Sequence, residues 1–390
     1  MSIRQIALFS YGFRPFFLGG ALWALFAMLI WIGLITGEVV SLGLTPAAWH
    51  AHEFLFGYVG AIIAGFLLTA VPNWTGRAPL QGSPLLSLFI LWLMGRIAFL
   101  LASQIGYLAA AIADSLFLIA LAVFVFREVV AAENTGNIRI ALILSVLALA
   151  NLLFHAEIIT QGQPVFAVRG TISLIVMLIG VIGGRVVPNF TRNWLARRGD
   201  TRLPAPMGRF DQVVLASSIV ALAFWTFLPD LPVSALFLFA AGVMHAARLG
   251  RWSGWRTGAE PLVLILHIGY AFVPLGFVLV ALSFVWPFDI PLSAALHAWT
   301  SGAMGVMTLA IMTRATRGHC GHPLTAPPTT QFIYLMVVVA TLLRLSEILL
   351  PDAASMLHLA SGGAWLVAFS GFVAAYGPML LRPRAGSAQG

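Results

Sequence analysis

Long apolar runs alternate with short polar connections along the whole chain. Each run approaches the roughly 20 apolar residues that a helix needs to cross the hydrocarbon core of a bilayer. The runs cover residues 16–36, 48–71, 85–103, 107–126, 140–160, 170–188, 211–228, 233–248, 262–285, 294–313, 331–350 and 354–381. Prolines such as Pro72, Pro188 and Pro351 fall at or beyond the ends of the runs, where helices are expected to stop. The pattern predicts an all-α bundle of about twelve transmembrane helices, one integral membrane domain over residues 1–390.

Charged residues are sorted between alternate connections. The even-numbered connections and both terminal segments hold nearly all of the arginines, with Arg77, Arg127 and Arg192 as examples. The odd-numbered connections hold acids, and their one arginine is the borderline Arg169. These acids are Glu38, Asp230, Asp289 and Asp352. Because arginine accumulates in cytoplasmic loops, both termini are predicted to be cytoplasmic.

Composition supports a lipid environment and narrows the function. Hydrophobic residues make up 60% of the chain and charged residues 9%, whereas a soluble protein carries about a quarter charged residues. The net charge of +8 comes from arginines in short loops, not from an exposed basic face, so we expect no nucleic-acid partner. The single cysteine, Cys320, excludes an internal disulfide and any multi-cysteine metal site.

Three span ends resemble one another and suggest an internal repeat. The second span ends in VPNWTGR at 71–77, the sixth in VPNFTR at 187–192, and the tenth in the weaker match TRATR at 313–317. His52 and His297 are each followed by glycines at offsets of five and eight. The chain is therefore either three arcs of four helices (1–130, 131–250 and 251–390), with spans 2, 6 and 10 inside, or a bundle in which such motifs recur by chance.

The nine histidines are the most informative residues for chemistry, because polar groups in spans are costly and often functional. Five lie near span ends predicted to be periplasmic: His50, His52, His155, His297 and His358. The other four lie toward the cytoplasmic side: His245, His267, His319 and His322. His319 and His322 are interpreted as solvated loop residues. His245 and His267, on adjacent spans, are candidates for a second ligand pair.

His50 and His52 are expected to serve different partners. Residues two apart on a helix point about 200° away from each other, so this pair cannot share one metal ion. Imidazole suits copper, iron and haem iron. His52 and His297 occupy equivalent places in the proposed repeat and are candidates for ligands on a common axis. The alternative is that each histidine merely contacts lipid headgroups or loops.

Carboxylates and arginines near these histidines are further candidates. Glu53, Glu157 and Glu347 lie at the depth of the periplasmic histidines and are candidate catalytic proton carriers, although Glu347 can also form a helical ion pair with Arg344. Three arginines in or near spans are candidate partners of an acid or of a haem propionate. They are Arg14, Arg96 and Arg185.

Four long motifs in this order resemble the NnrS family of bacterial membrane proteins over essentially the whole chain. They are YGFRPFF at 11–17; WHAHE at 49–53 leading to GFLLTAVPNWTG at 65–76; GRVVPNFTRN at 184–193; and HAW at 297–299 leading to MTRATRGH at 312–319. The resemblance implies a multi-pass protein of the bacterial inner membrane that contains haem b and copper, or iron in place of copper. It also implies a link to denitrification and to protection from nitric oxide. Three arcs of four helices are also similar to the haem–copper oxidases, which is an analogy of fold and not of activity.

The resemblance favours a protein that reduces or detoxifies nitric oxide with electrons from an unidentified donor. In that hypothesis His52 and His297 bind haem, and His50, His155 and His358 are candidates for the second metal centre. The competing hypothesis is a transporter or chaperone of haem, copper or a metal–nitrosyl complex. A third hypothesis is a structural or sensory membrane protein whose histidines only satisfy local hydrogen bonds.

Overall fold

The computed structural model describes residues 3, 6–39 and 42–384 of the 390-residue chain. Twelve helices in this part are long and apolar enough to cross a membrane, and no strand occurs among the described residues. They are α1 Phe13–Thr36, α2 Pro46–Thr75, α3 Ser83–Leu100, α4 Tyr107–Ala131, α5 Ile138–Gln161, α6 Val165–Arg197, α7 Arg209–Phe227, α8 Pro232–Arg256, α9 Pro261–Val285, α10 Leu292–His319, α11 Pro328–Ile348 and α12 Pro351–Leu381. The predicted all-α, multi-pass membrane fold is confirmed.

Two helices continue past the prolines at which they were expected to stop. α2 runs through Pro72 to Thr75, and α6 runs through Pro188 to Arg197. A proline deprives the helix of one backbone donor, and the following turns still hydrogen-bond. The end of α2 comes instead at Gly76, whose φ of +69° is a left-handed conformation that glycine adopts without strain.

Two spans contain a π-helical segment that the sequence analysis did not predict. In α2 the segment is Glu53–Val59, directly after His52. In α10 it is Ala298–Val306, directly after His297. The two histidines predicted to be equivalent therefore precede the same unusual backbone. Such segments are rare and frequently occur at functional sites.

Burial distinguishes the inner from the outer helices. Buried residues make up 83% of the apolar window of α2 and 72% of that of α10, but 39% of that of α6. The prediction of inner helices holds for α2 and α10 and is wrong for α6. The three predicted arcs themselves stay a prediction.

The described residues pack as two compact units. The first holds the chain up to Thr171, together with Arg314–Pro323 and the segment from Phe369 onward. The second holds Ile172–Thr313 and Leu324–Ala368. Helices α6, α10 and α12 contribute to both units.

Candidate metal site

Two imidazoles and one carboxylate from three helices of the first unit converge on one point. His52 of α2 and His155 of α5 each place Nε2 3.0 Å from Oδ2 of Asp114 on α4. One ligand atom from each of these residues lies within 4.8 Å of the other two. All three side chains are buried, His52 completely. We call His52, Asp114 and His155 the metal triad.

A second carboxylate orients the first imidazole. His52 Nδ1 lies 3.0 Å from Oε1 of Glu53, so this nitrogen carries the proton and donates it to the carboxylate. The other oxygen of Glu53 accepts hydrogen bonds from Trp23 Nε1 and Arg96 Nη1, each at 2.6 Å. A carboxylate held in this way fixes the tautomer and the ring orientation of a metal-binding histidine.

The second imidazole is oriented in the same manner by a phenol. His155 Nδ1 lies 2.9 Å from the hydroxyl of Tyr107. Both imidazoles therefore have Nδ1 engaged outside the triad and Nε2 turned toward Asp114. Asn151 Nδ2 adds a hydrogen bond of 2.9 Å to the same carboxylate oxygen.

The cluster around the triad carries one negative charge in excess. Arg96 donates to both Glu53 and Asp114, so one guanidinium faces two carboxylates while the imidazoles are neutral. These ionic groups are 5% exposed or less, and an uncompensated charge in such surroundings costs several kcal/mol. A cation between the two Nε2 atoms and Asp114 would supply the missing positive charge.

Glycines give the charged groups room to meet. A Cβ at Gly57, inside the π-helical segment of α2, would lie 2.6 Å from Arg96 Nη1 and 2.8 Å from Glu53 Oε2. A Cβ at Gly95 would lie 2.9 Å from the Asp114 Cα. The backbones of α2 and α3 thus approach their ionic partners more closely than a larger residue allows.

Aromatic rings enclose the cluster. Phe99 stacks on His52 with ring centroids 4.0 Å apart, and Phe154 and Phe56 follow at 4.9 and 5.3 Å. Such walls exclude water, and the low local dielectric strengthens every charge–charge contact inside them.

The donor set fits a single metal ion. Two imidazoles and one carboxylate are the donor types of the sites that hold non-haem iron(II) with positions left open. The buried acceptor Asn151 Oδ1 lacks a hydrogen-bond partner, as expected where a bound group completes the network. A haem does not fit on His52 Nε2, because the carboxylate 3.0 Å away occupies the space in front of that nitrogen.

The remaining predicted residues of the first unit have other neighbours. His50 lies between Trp31 and Phe54, with tilted rings whose centroids are 4.2 and 4.5 Å away, so its ring neighbours differ from those of His52. Glu157 Oε2 accepts from the backbone N–H of Ala167, 3.1 Å away at the start of α6.

Arg14, predicted to bind a cofactor, is buried and donates to carbonyls at the end of α12. Its partners are the carbonyl oxygens of Met379, Leu380 and Arg382, at 3.2, 2.9 and 2.6 Å. It thereby satisfies helix-terminal carbonyls that lack partners within the helix.

In the second unit, Glu347 and His358 are brought together. His358 Nε2 lies 2.9 Å from Glu347 Oε2, and the predicted ion pair of Glu347 with Arg344 is present. His297 is half-buried, and its Nδ1 donates to the Ser293 carbonyl at 2.6 Å. Arg185, on α6, is exposed. The roles predicted for these residues stay predictions.

His245 and His267, predicted as a second ligand pair, each bond to hydroxyl groups. His245 lies between Ser218 Oγ at 2.7 Å and the Tyr270 hydroxyl at 2.9 Å. His267 Nε2 lies 2.7 Å from Thr191 Oγ1. Nearby, Arg248 pairs with Asp211 at 2.7 Å, so this cluster has one guanidinium for one carboxylate and no charge in excess.

Sequence reasoning missed Asp114, the residue that joins the two histidines. The sequence did mark Asp114 as a candidate, because an acid seven residues into an apolar span is as costly as a histidine there. Tyr107, Asn151 and Trp23 were missed as well, and nothing in their spacing marks them.

No curated protein matches the chain. A family model described as NnrS protein matches residues 7–384, nearly the whole length. The chain therefore belongs to the NnrS family, membrane proteins linked to the nitric oxide response.

Proposed function

We propose that the protein keeps one iron or copper ion in the metal triad and binds nitric oxide there, in order to reduce or otherwise remove it. The observation that supports this is the shared geometry of His52 and His155. Each has Nδ1 held by a group outside the triad and Nε2 within 3.0 Å of Asp114. Histidines that only satisfy local hydrogen bonds do not need two nitrogens converging on one carboxylate oxygen.

The choice of metal follows from donors and charge. Imidazole and carboxylate suit iron, copper and zinc, and two histidines with one carboxylate are typical of non-haem iron(II). Of these metals, iron and copper bind nitric oxide and change oxidation state. The excess negative charge of the cluster favours retention of a cation in either case.

The bound ion would supply an open coordination position for nitric oxide and would pass on electrons from the external donor, one at a time. The protein's own groups do the rest. Glu53 and Tyr107 hold the two imidazoles in one tautomer, and Arg96 balances one of the two carboxylates. The rings of Phe99 and Phe154 keep bulk water away from the triad. Glu53 acts here as an orienting group, and the proton-carrier role predicted for it is retained only as a hypothesis.

Haem b enters the proposal at His297. Its Nδ1 donates to Ser293 O and so orients the ring, and imidazole is a common ligand of haem iron. We place the protein in the bacterial inner membrane, with the metal triad toward the periplasmic face. That placement follows from the arginine distribution. Nitric oxide, lipid and an electron donor are the proposed partners.

Enclosure favours a resident ion over a transported one. The three ligands are 3% exposed or less, whereas a carrier needs a site that opens alternately to either side. Transport of a metal, of haem or of a metal–nitrosyl complex therefore ranks second.

The test begins with full-length protein purified in mild detergent. Metal analysis, optical and electron paramagnetic resonance spectra with and without nitric oxide, and nitric oxide consumption with a chemical reductant should be measured together. We expect one non-haem iron or copper ion per chain and a nitrosyl signal from that ion, separate from the iron and the nitrosyl spectrum of haem. His155→Ala should lose both, and the matched variant His245→Ala, in the second unit, should keep both. Metal-replete protein that neither binds nor consumes nitric oxide would refute the proposal, and readily exchanged metal would favour the carrier.

A further inference from the structure

A groove of about 450 Å³ lies along α8 and α9 in the second unit. Leu249, Trp255 and Pro274 are among its lining residues, and its walls are otherwise built of small apolar residues and one imidazole, that of His267. The volume is within the roughly 300–1,000 Å³ range of small-molecule sites, which combine apolar walls with few polar groups.

The imidazole of His267 presents an unused acceptor. Thr191 Oγ1 donates its single proton to the Val187 carbonyl at 2.9 Å. The same oxygen therefore accepts from His267 Nε2–H at 2.7 Å. His267 Nδ1 is then a lone pair without a hydrogen-bond partner on a side chain that is only 6% exposed. Buried polar atoms of this kind call for an explanation.

Gly254 lies directly against this buried acceptor, and both residues line the groove. A Cβ at Gly254 would lie 2.5 Å from His267 Nδ1, so any larger residue would cover the nitrogen. Beside it, Trp255 is 73% exposed and offers a flat indole surface. The site therefore combines one hydrogen-bond acceptor, one aromatic face and apolar walls on two membrane-spanning helices.

We propose that this groove binds the headgroup of a membrane quinol, with a phenolic O–H donating to His267 Nδ1. The ligand has to be flat and lipid-soluble, and it has to carry a hydrogen-bond donor. A hydroquinone ring meets all three conditions, whereas the oxidised quinone lacks the donor. The role of the bound quinol as electron donor for nitric oxide reduction rests on the proposed function. The binding of quinol to the groove does not depend on that function.

Decylubiquinol and decylubiquinone are the probes, titrated anaerobically against full-length protein in detergent and followed by tryptophan fluorescence quenching. Wild type should bind the quinol roughly tenfold more tightly than the quinone, because one well-formed hydrogen bond contributes about that much to the affinity. Gly254→Ala and His267→Leu should abolish that preference. Gly258→Ala, where a Cβ meets nothing within 4 Å, is the matched control and should retain it.

Equal binding of quinol and quinone by wild type would overturn the proposal, because it would show that no hydrogen bond from the phenolic O–H contributes. A preference that survives in both Gly254→Ala and His267→Leu would overturn it too. The Asp114→Asn variant separates this inference from the proposed function. Its quinol preference should persist even when the metal triad is lost.

Discussion

Asp114→Asn is the most informative change at the metal triad. The aspartate touches both histidines through Oδ2 and Arg96 through Oδ1. Asparagine keeps the shape of the side chain but offers one oxygen in place of two and carries no charge. Its amide nitrogen cannot bind a metal and its amide oxygen is a weaker, neutral donor, so the site keeps two imidazoles but loses its anionic ligand.

The expected magnitude follows from the position of Asp114 among the ligands. Loss of an outer hydrogen-bond partner of a metal ligand typically costs about 10–100-fold in metal affinity. Asp114 is both a ligand and the nearest counter-charge, so the loss should exceed about 100-fold, or about 3 kcal/mol at 1.4 kcal/mol per decade.

The metal-free variant should fold nearly as well as wild type. Arg96 still pairs with Glu53 at 2.6 Å, so no buried cation is left bare. Asp211→Asn is the contrasting change, because it removes the carboxylate that pairs with Arg248. Stranding a buried cation typically costs about 3–5 kcal/mol, so Asp211→Asn should be the more destabilising of the two.

Metal content, affinity against a competing chelator, and thermal unfolding of metal-free and metal-loaded protein test this reasoning. Added metal should raise the unfolding temperature of wild type and leave that of Asp114→Asn unchanged. Unchanged metal affinity in the variant would refute the triad. A loss of folding as severe as that of Asp211→Asn would indicate that Asp114 serves as a structural ion-pair partner.

Three further predictions concern single residues. Tyr107→Phe should lower metal affinity by about 10–100-fold, because the Tyr107 hydroxyl orients the proposed ligand His155. Tyr270→Phe is the control and should leave metal affinity unchanged, although the Tyr270 hydroxyl also lies 2.9 Å from a histidine Nδ1. Gly57→Ala should destabilise the protein by about 1–3 kcal/mol through overpacking and reduce metal content. Gly60→Ala, where the nearest atom is 3.8 Å from the added Cβ, should do neither. Burial raises the pKa of the Cys320 thiol despite nearby arginines, so maleimide should label it slowly at neutral pH and fully after denaturation.

The fold was predictable because a bilayer imposes a simple rule. A spanning helix must be apolar over its whole length, so each of the twelve runs is visible in the sequence without tertiary information. Helix ends were less predictable. A proline usually ends a helix, but at Pro72 and Pro188 the neighbouring turns retain enough hydrogen bonds for the helix to continue.

The site was predictable only in part. The sequence analysis placed His52 and His155 near the same face, because burial of an imidazole in lipid needs a reason, but it assigned them to different metal centres. It did not identify which residue joins them. The role of Asp114 is apparent only once α4 is packed against α2 and α5. The spacing of apolar residues along the chain does not specify which helices pack together.

Two buried arginine–aspartate pairs, one in each unit, explain why only one cluster is assigned a metal. In the second unit Arg248 faces one carboxylate, and His245 is hydrogen-bonded at both nitrogens by hydroxyl groups. The charges of this cluster therefore balance, although Arg248 Nη2 has no hydrogen-bond partner. In the first unit Arg96 faces two carboxylates, and His52 lies between them with a single proton to donate. One imidazole nitrogen must then face a carboxylate oxygen without a hydrogen between them, unless a cation lies there. Either a second proton on His52 or the proposed metal ion would supply the positive charge that this nitrogen lacks, and the convergence of the two Nε2 atoms on Asp114 is the reason for proposing the metal.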